Sequence, residues 1–446
     1  MGGGGLKKTA INHFTRSRRG EKPALFSRQS DTMPRSPARP DGRRNQGRDM
    51  TSYKNGLTRR GLMQTSSAAF LAGTAAGFSM AGITPAGAQQ GPDAPYNPHP
   101  NKRIGQPQEG PDTPKLTLYM EDLLSDQEAI DLKQIGINWI DTQAVPEQPW
   151  GMDYLQPRVD ALKKHDMHIG IMMIRWAYKG AVDPNMNKIV RGLPGRDEEI
   201  AKIKQTIVNM GKLGIPVLEW NFYNHRAEDG YAEAPGRGGS GMTEFKAERM
   251  KGLPPLPGDG APQNYEDTWK NIGYFLKEVV PVAEKNNVVL SVHPNDPPVP
   301  ISRGSAQVLN SFSDWKRLVE TVNSPSNCMT WDCGVTREIG EDPIVVGNWL
   351  ASRNRIGQVH FRNVVMRKPR EDYTEVFPDD GDNDMFEVMK LLVRNNYKRL
   401  IFPEHPRGLA VDKLLPKGTN PTVAWAYNVG HCKAMLQIAL RELRGL

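Results

Sequence analysis

Val288-Val289-Leu290-Ser291-Val292-His293-Pro294-Asn295-Asp296-Pro297-Pro298 is an apolar run that stops abruptly at a metal-capable side chain and a proline-rich turn. Three later stretches repeat the device: Met329-Thr330-Trp331-Asp332-Cys333-Gly334, Gly357-Gln358-Val359-His360-Phe361-Arg362-Asn363 and Leu400-Ile401-Phe402-Pro403-Glu404-His405-Pro406. Short apolar runs ending in polar residues at similar spacings read as successive strands of a parallel barrel, where chemistry gathers at the strand C-termini. Upstream, strand-like runs begin at Lys115, Asn138, His168 and Val217, which brings the number to eight, alternating with helical segments. Ser125 reads as a helix cap and Gly136 as its stop, while Ile200, Ile203, Ile207 and Met210 recur at helical spacing. Eight βα units over residues 115–446 predict one (β/α)8 barrel of the α/β class. A doubly wound sheet is disfavoured because no Gly-x-Gly-x-x-Gly follows an early strand. A periplasmic sugar-binding protein, the non-enzymatic alternative, needs two such sheets.

The net charge of +8 on 446 residues misleads. Residues 1–88 carry fifteen Lys/Arg against four Asp/Glu, a balance of +11, which leaves −3 for residues 89–446. Nucleic-acid binding therefore loses its electrostatic support. Residues 1–49 are Arg-, Ser- and Pro-rich without periodicity and read as a disordered basic extension, with Met50 as the expected true start. Within 50–88, Arg59-Arg60 precede a weakly apolar Gly/Ala-rich run and Pro85-Ala86-Gly87-Ala88, the order of a twin-arginine export signal with a cleavage site. The run is too short and glycine-rich for a stable membrane anchor. A periplasmic or secreted location follows, with the twin-arginine export machinery as a partner. Residues 89–114 read as a linker or arm, and 226–263, rich in Gly and Pro, as an irregular lid inserted in the barrel. Three cysteines are too few for a disulfide framework.

His293, Cys333, His360 and Glu404 fall at the ends of the fifth to eighth expected strands, so four consecutive strand ends can converge on one ion. A thiolate, two imidazoles and a carboxylate suit Mn²⁺, Fe²⁺, Co²⁺ or Zn²⁺ rather than Mg²⁺ or Ca²⁺. Asn221, ending the fourth strand, and His225, opening the lid, are expected to face a substrate. Arg362, directly after His360, is expected to pair with a substrate carboxylate.

Several motifs in order carry a resemblance: Arg191-Gly192-Leu193-Pro194-Gly195-Arg196-Asp197-Glu198-Glu199-Ile200, Gly214-Ile215-Pro216-Val217 with Trp220-Asn221-Phe222, His293-Pro294-Asn295-Asp296-Pro297-Pro298, Cys333, His360-Phe361-Arg362-Asn363-Val364 and Gly381-Asp382-x-Asp384-Met385. Together they resemble the mannonate dehydratase family over roughly 191–405. The resemblance implies a barrel of the xylose-isomerase type that converts D-mannonate, a small-molecule sugar acid, to 2-keto-3-deoxy-D-gluconate with Mn²⁺. It implies metal ligation by His293, Cys333, His360 and Glu404 and catalysis by His405, with Tyr427 or the same imidazole as the acid for the departing hydroxyl; a homo-oligomer is expected as well. The family usually reads Pro-Asp-His-Gly where this chain has Pro403-Glu404-His405-Pro406. The alternative enzyme is a sugar isomerase or epimerase on the same barrel, for which a glutamate on the eighth strand is more typical.

Overall fold

The computed structural model describes residues 107–445 apart from 121–124, 144–146, 175–185, 224, 256–260 and 417, all within the unit Asn97–Leu446. The basic extension, the export signal and the arm as far as residue 106 lie outside the described residues. Eight parallel strands close into a barrel: Lys115–Met120, Trp139–Gln143, His168–Met173, Val217–Trp220, Val289–Val292, Asn327–Asp332, Ile356–His360 and Leu400–Phe402. The first strand pairs with both the second and the eighth, which leaves the barrel no free edge. One closed barrel rules out the two-lobed binding protein. Local signals account for the helices between strands. Ser125 and Glu128 form a reciprocal capping box on Asp126–Gln134, and the helix Arg196–Lys212 buries Ile200, Ile203, Ile207 and Met210.

Strand alternation sorts the side chains. Leu218 and Trp220, Leu290 and Val292, and Met329 and Trp331 point outward into the core shared with the helices. The residues between them, Glu219, Ser291 and Thr330, point into the barrel and are fully buried. Apolar Ile171, Val217 and Leu400 fill one layer of the interior. The next layer is polar. The Ser291 and Thr330 hydroxyls lie 2.9 Å apart, Gln358 Nε2 donates to Thr330 Oγ1 at 3.3 Å, and that hydroxyl donates to Glu219 Oε1 at 3.4 Å.

The stretch 226–263 is not the irregular lid expected. Its strands Tyr231–Pro235 and Gly241–Lys246 form a hairpin, and Gly241–Lys246 pairs with a second hairpin, Asn363–Lys368 with Asp372–Val376. The result is a four-stranded antiparallel sheet with its own small core of Ala227, Phe245, Val299 and Tyr373. Phe245 and Tyr373 stack with ring centroids 5.1 Å apart. Gly238 and Gly239, with φ of 61° and 78°, make the turn between the first two of these strands.

Helix Pro343–Ala351 lies against the outward face of the sixth strand, where a Cβ at Gly347 would come within 2.3 Å of the Trp331 ring. Gly347→Ala should therefore destabilise the fold by about 1–3 kcal/mol through overpacking, despite the gain of about 1 kcal/mol in helix propensity. In urea the midpoint should fall while the m-value stays unchanged.

Candidate metal centre

Two residues beyond Ser291, Thr330 and Gln358 on the same inward faces stand His293, Asp332 and His360. Alternation thus delivers one imidazole, one carboxylate and a second imidazole to the barrel mouth, and Glu404 follows the eighth strand. Ligand atoms of these four buried residues lie within 4.8 Å of one another. His293 Nε2 is 3.1 Å from His360 Nδ1 and 3.6 Å from Asp332 Oδ2. Glu404 Oε1 stands 3.0 Å from His360 Nδ1, yet it is buried without a properly aligned hydrogen bond. Two imidazole nitrogens and two carboxylate oxygens aimed at one point, one of them unsatisfied, fit a divalent cation.

Cys333 is not among these donors. It follows Asp332 and so has the parity of Met329 and Trp331, which turns its thiol outward into the apolar core. Burial, with Asp332 beside it, pushes that thiol well above its usual range and opposes the thiolate a ligand needs. Asp332 takes the place expected of Cys333 and uses both its oxygens. Oδ1 accepts the Val335 N–H at 2.7 Å, capping helix Cys333–Glu338, while Oδ2 faces the centre. Burial opposes its ionisation, but Arg362 and the two imidazoles outweigh that and hold it well below the carboxylate range.

Arg362 is committed elsewhere than to a substrate carboxylate. Its guanidinium is buried, with Nε 3.0 Å from Asp332 Oδ2 and 3.1 Å from Glu404 Oε1. Nη1 lies 2.7 Å from Glu338 Oε1 and 3.7 Å from Glu375 Oε1, and Nη2 lies 3.1 Å from Asp296 Oδ2. It packs flat against Gly334, where a Cβ would come within 2.6 Å of Nη1.

His405 stands next to the centre with backbone in the left-handed region, φ 49°, unusual for a residue other than glycine. Nδ1 is 3.0 Å from Glu375 Oε2 and Nε2 is 3.5 Å from Glu404 Oε2, and about a third of the side chain (32%) is exposed. Burial lowers its basicity, but Glu375 and Glu404 outweigh it and raise the imidazole above its ordinary value. Asp296, Glu375 and His405 make a second group of close ligand atoms. Glu375 arrives from the lid sheet, where no strand-end signal marks it.

The remaining expected residues are spread more widely. Asn221 is buried at the end of the fourth strand, and His225 Nδ1 lies 3.0 Å from the Ser302 hydroxyl. Tyr427 lies in the C-terminal helix, where its hydroxyl donates to Asp379 at 2.8 Å and receives Arg237 Nη2 at 3.0 Å, an arrangement that engages it with the lid rather than His405. Sequence reasoning passed over Asp332, whose inward parity was readable from Met329 and Trp331, and Asp296, Glu338 and Glu375, which lack such a pattern.

The family described as D-mannonate dehydratase (UxuA) matches residues 262–434. The chain is 30% identical over 264 residues to the mannonate dehydratase of Enterococcus faecalis, covering 51% of this chain and 72% of that one. It is 26% identical over 318 residues to mannonate dehydratase 1 of Halalkalibacterium halodurans, covering 63% and 83%. In fold it is similar to the solved mannonate dehydratase of Streptococcus suis serotype 2, with a TM-score of 0.64 at 24% identity over 74% of this chain and 95% of that one.

The division between Asp332 and Cys333 is directly measurable. Asp332→Asn should lower metal affinity by more than the about 10–100-fold that losing a supporting partner of a ligand costs, while Cys333→Ser should keep full metal content by elemental analysis. Metal loss in the serine variant alone would put the thiol back in the site.

Proposed function

The chain belongs to the mannonate dehydratase family, and from that premise we propose that it removes water from D-mannonate to give 2-keto-3-deoxy-D-gluconate. The observation that carries the reading is His405 standing beside the His293–Asp332–His360–Glu404 cluster at the C-terminal mouth of the barrel. The reaction breaks the C–H bond α to the carboxylate and expels the β-hydroxyl as water, and the resulting enol becomes the ketone. A divalent cation held by the four residues supplies Lewis-acid stabilisation of negative charge developing next to the substrate carboxylate. Mn²⁺ is the proposed occupant, with Fe²⁺ and Co²⁺ accommodated by the same nitrogen and oxygen donors.

His405 handles the protons. Glu375 at 3.0 Å strengthens it as a base, and once the imidazole has taken the α-proton it holds a proton for the departing hydroxyl. One residue thus serves both half-reactions, a role that needs no part from Tyr427. Arg362 keeps Asp332 ionised, His360 and His405 do the same for Glu404, and the guanidinium lies against both carboxylates. A second reading, isomerisation or epimerisation of a neutral sugar, draws on the glutamate at the eighth strand and on a donor set without sulfur.

Two further proposals concern the whole chain. Val411, Leu414 and Val423 are exposed apolar residues drawn together where Asp412 accepts the Val423 N–H at 2.8 Å, which supports a homo-oligomer. Residues 50–88 support export of the folded protein by the twin-arginine machinery to a periplasmic or secreted location.

Purified protein with Mn²⁺ should form an α-keto acid from D-mannonate and lose that activity to a chelator; turnover of a neutral ketose without keto-acid formation would favour the second reading. His405→Asn should retain metal while turnover falls by about 10²–10⁴-fold. Glu375 raises the His405 imidazole, whose basic form appears as pH rises and gives kcat/KM an ascending limb. Glu375→Gln should move the limb to lower pH. For export, replacing Arg59 and Arg60 with lysine should leave unprocessed precursor inside the cell, detected by fractionation; normal export would overturn the assignment.

A further inference from the structure

The donor set turns only one ring nitrogen of His360 to use. Nδ1 faces Glu404, Asp332 and His293, while Nε2 is buried and has no hydrogen-bond partner. A histidine ligand ordinarily donates its second N–H to a carboxylate or carbonyl, which fixes the tautomer and the plane of the ring. The group facing Nε2 is Glu219, whose Oε1 lies 3.6 Å away.

Glu219 is an improbable residue at its position unless something requires it. It occupies the third place of Val217–Trp220, an inward-facing site with no exposure, between the pairing partners Met173 and Ser291. Its neighbour on the same face, Val217, is apolar, as a barrel interior calls for. Burying a carboxylate is costly without partners. Here Oε1 receives only the Thr330 hydroxyl at 3.4 Å, and Oε2 has no hydrogen bond. A carboxylate short of donors therefore faces an imidazole nitrogen short of an acceptor, and both are fully buried.

We propose that Glu219 is a positioning residue for the metal centre: its carboxylate takes the Nε2–H of His360 and so commits the Nδ1 lone pair to the cation. This rests on the reading that the four-residue cluster holds a divalent metal. Glu219 touches neither substrate nor metal and acts through His360 alone. The polar chain Gln358–Thr330–Glu219 holds it from behind and relates its orientation to the sixth and seventh strands, the two that carry Asp332 and His360.

The test reads metal affinity and proton position in the full chain, not turnover. In Glu219→Met, which keeps the volume and removes the acceptor, the Kd for Mn²⁺ by calorimetry should rise by about 10–100-fold. The unfolding midpoint of the metal-free variant should not fall, since an underpartnered buried carboxylate has gone, whereas a purely structural role predicts the reverse. Glu219→Gln retains an acceptor oxygen and should recover most of the affinity. Independently of any variant, ¹⁵N NMR of histidine-labelled wild-type protein loaded with Zn²⁺ should show the His360 proton on Nε2. A methionine variant that folds and binds Mn²⁺ with wild-type affinity, or a proton found on Nδ1, overturns the proposal. Wild-type protein that binds no Mn²⁺ overturns instead the metal reading beneath it, so the two failures are told apart.

Discussion

Five carboxylates can share the barrel mouth because one guanidinium is buried among them. Asp296, Asp332, Glu338, Glu375 and Glu404 all lie within 3.7 Å of a nitrogen of Arg362. Without that charge, desolvation and mutual repulsion would drive several of these groups to their neutral forms. The balance is uneven. Asp332 is held well below its ordinary range, whereas burial, with its acidic neighbours, keeps Glu338 well above it despite Arg362. The charge is thus spent mainly on the side facing the metal donors, which must be ionised to bind a cation.

Much of this architecture was legible in the chain. All eight barrel strands were readable because each is a short apolar run with a defined stop, and such runs obey a period that sequence displays. His293, His360 and Glu404 were readable for the same reason. The error at Cys333 was one of parity: a thiol looks more like a ligand than an aspartate does, yet the side chain one position earlier is the one that faces inward. Arg362 drew attention through its place after His360, but its five partners come from four separate segments whose convergence no local pattern encodes. The lid sheet was hidden for a similar reason, since its two hairpins stabilise one another and neither has an apolar face long enough to stand out.

A donor set without sulfur affects what the site can tolerate. A thiolate would have been the most oxidisable group there, and a set of two imidazoles and two carboxylates has none. Glu404 brings a longer reach than the aspartate usual in the family. It uses that reach to stand within 3.0 Å of His360 while its other oxygen faces His405 at 3.5 Å, so the proposed ligand and the proposed proton-transfer group share one carboxylate. On that proposal a cation bound by Glu404 would be felt at His405 electrostatically.

The lid sheet also has a kinetic meaning. Tyr231 and Tyr373, whose hydroxyls meet at 3.0 Å across it, are 142 residues apart in the chain. Contacts of such separation close a large loop and form more slowly than local ones, and the barrel's own closure, Lys115 against Leu400, spans still more chain. Glu375 reaches His405 only when that sheet has formed. The pair of His405 and Glu375 therefore exists only in a chain whose barrel has closed and whose lid sheet has formed, so the proposed base acquires its partner only when both layers are in place.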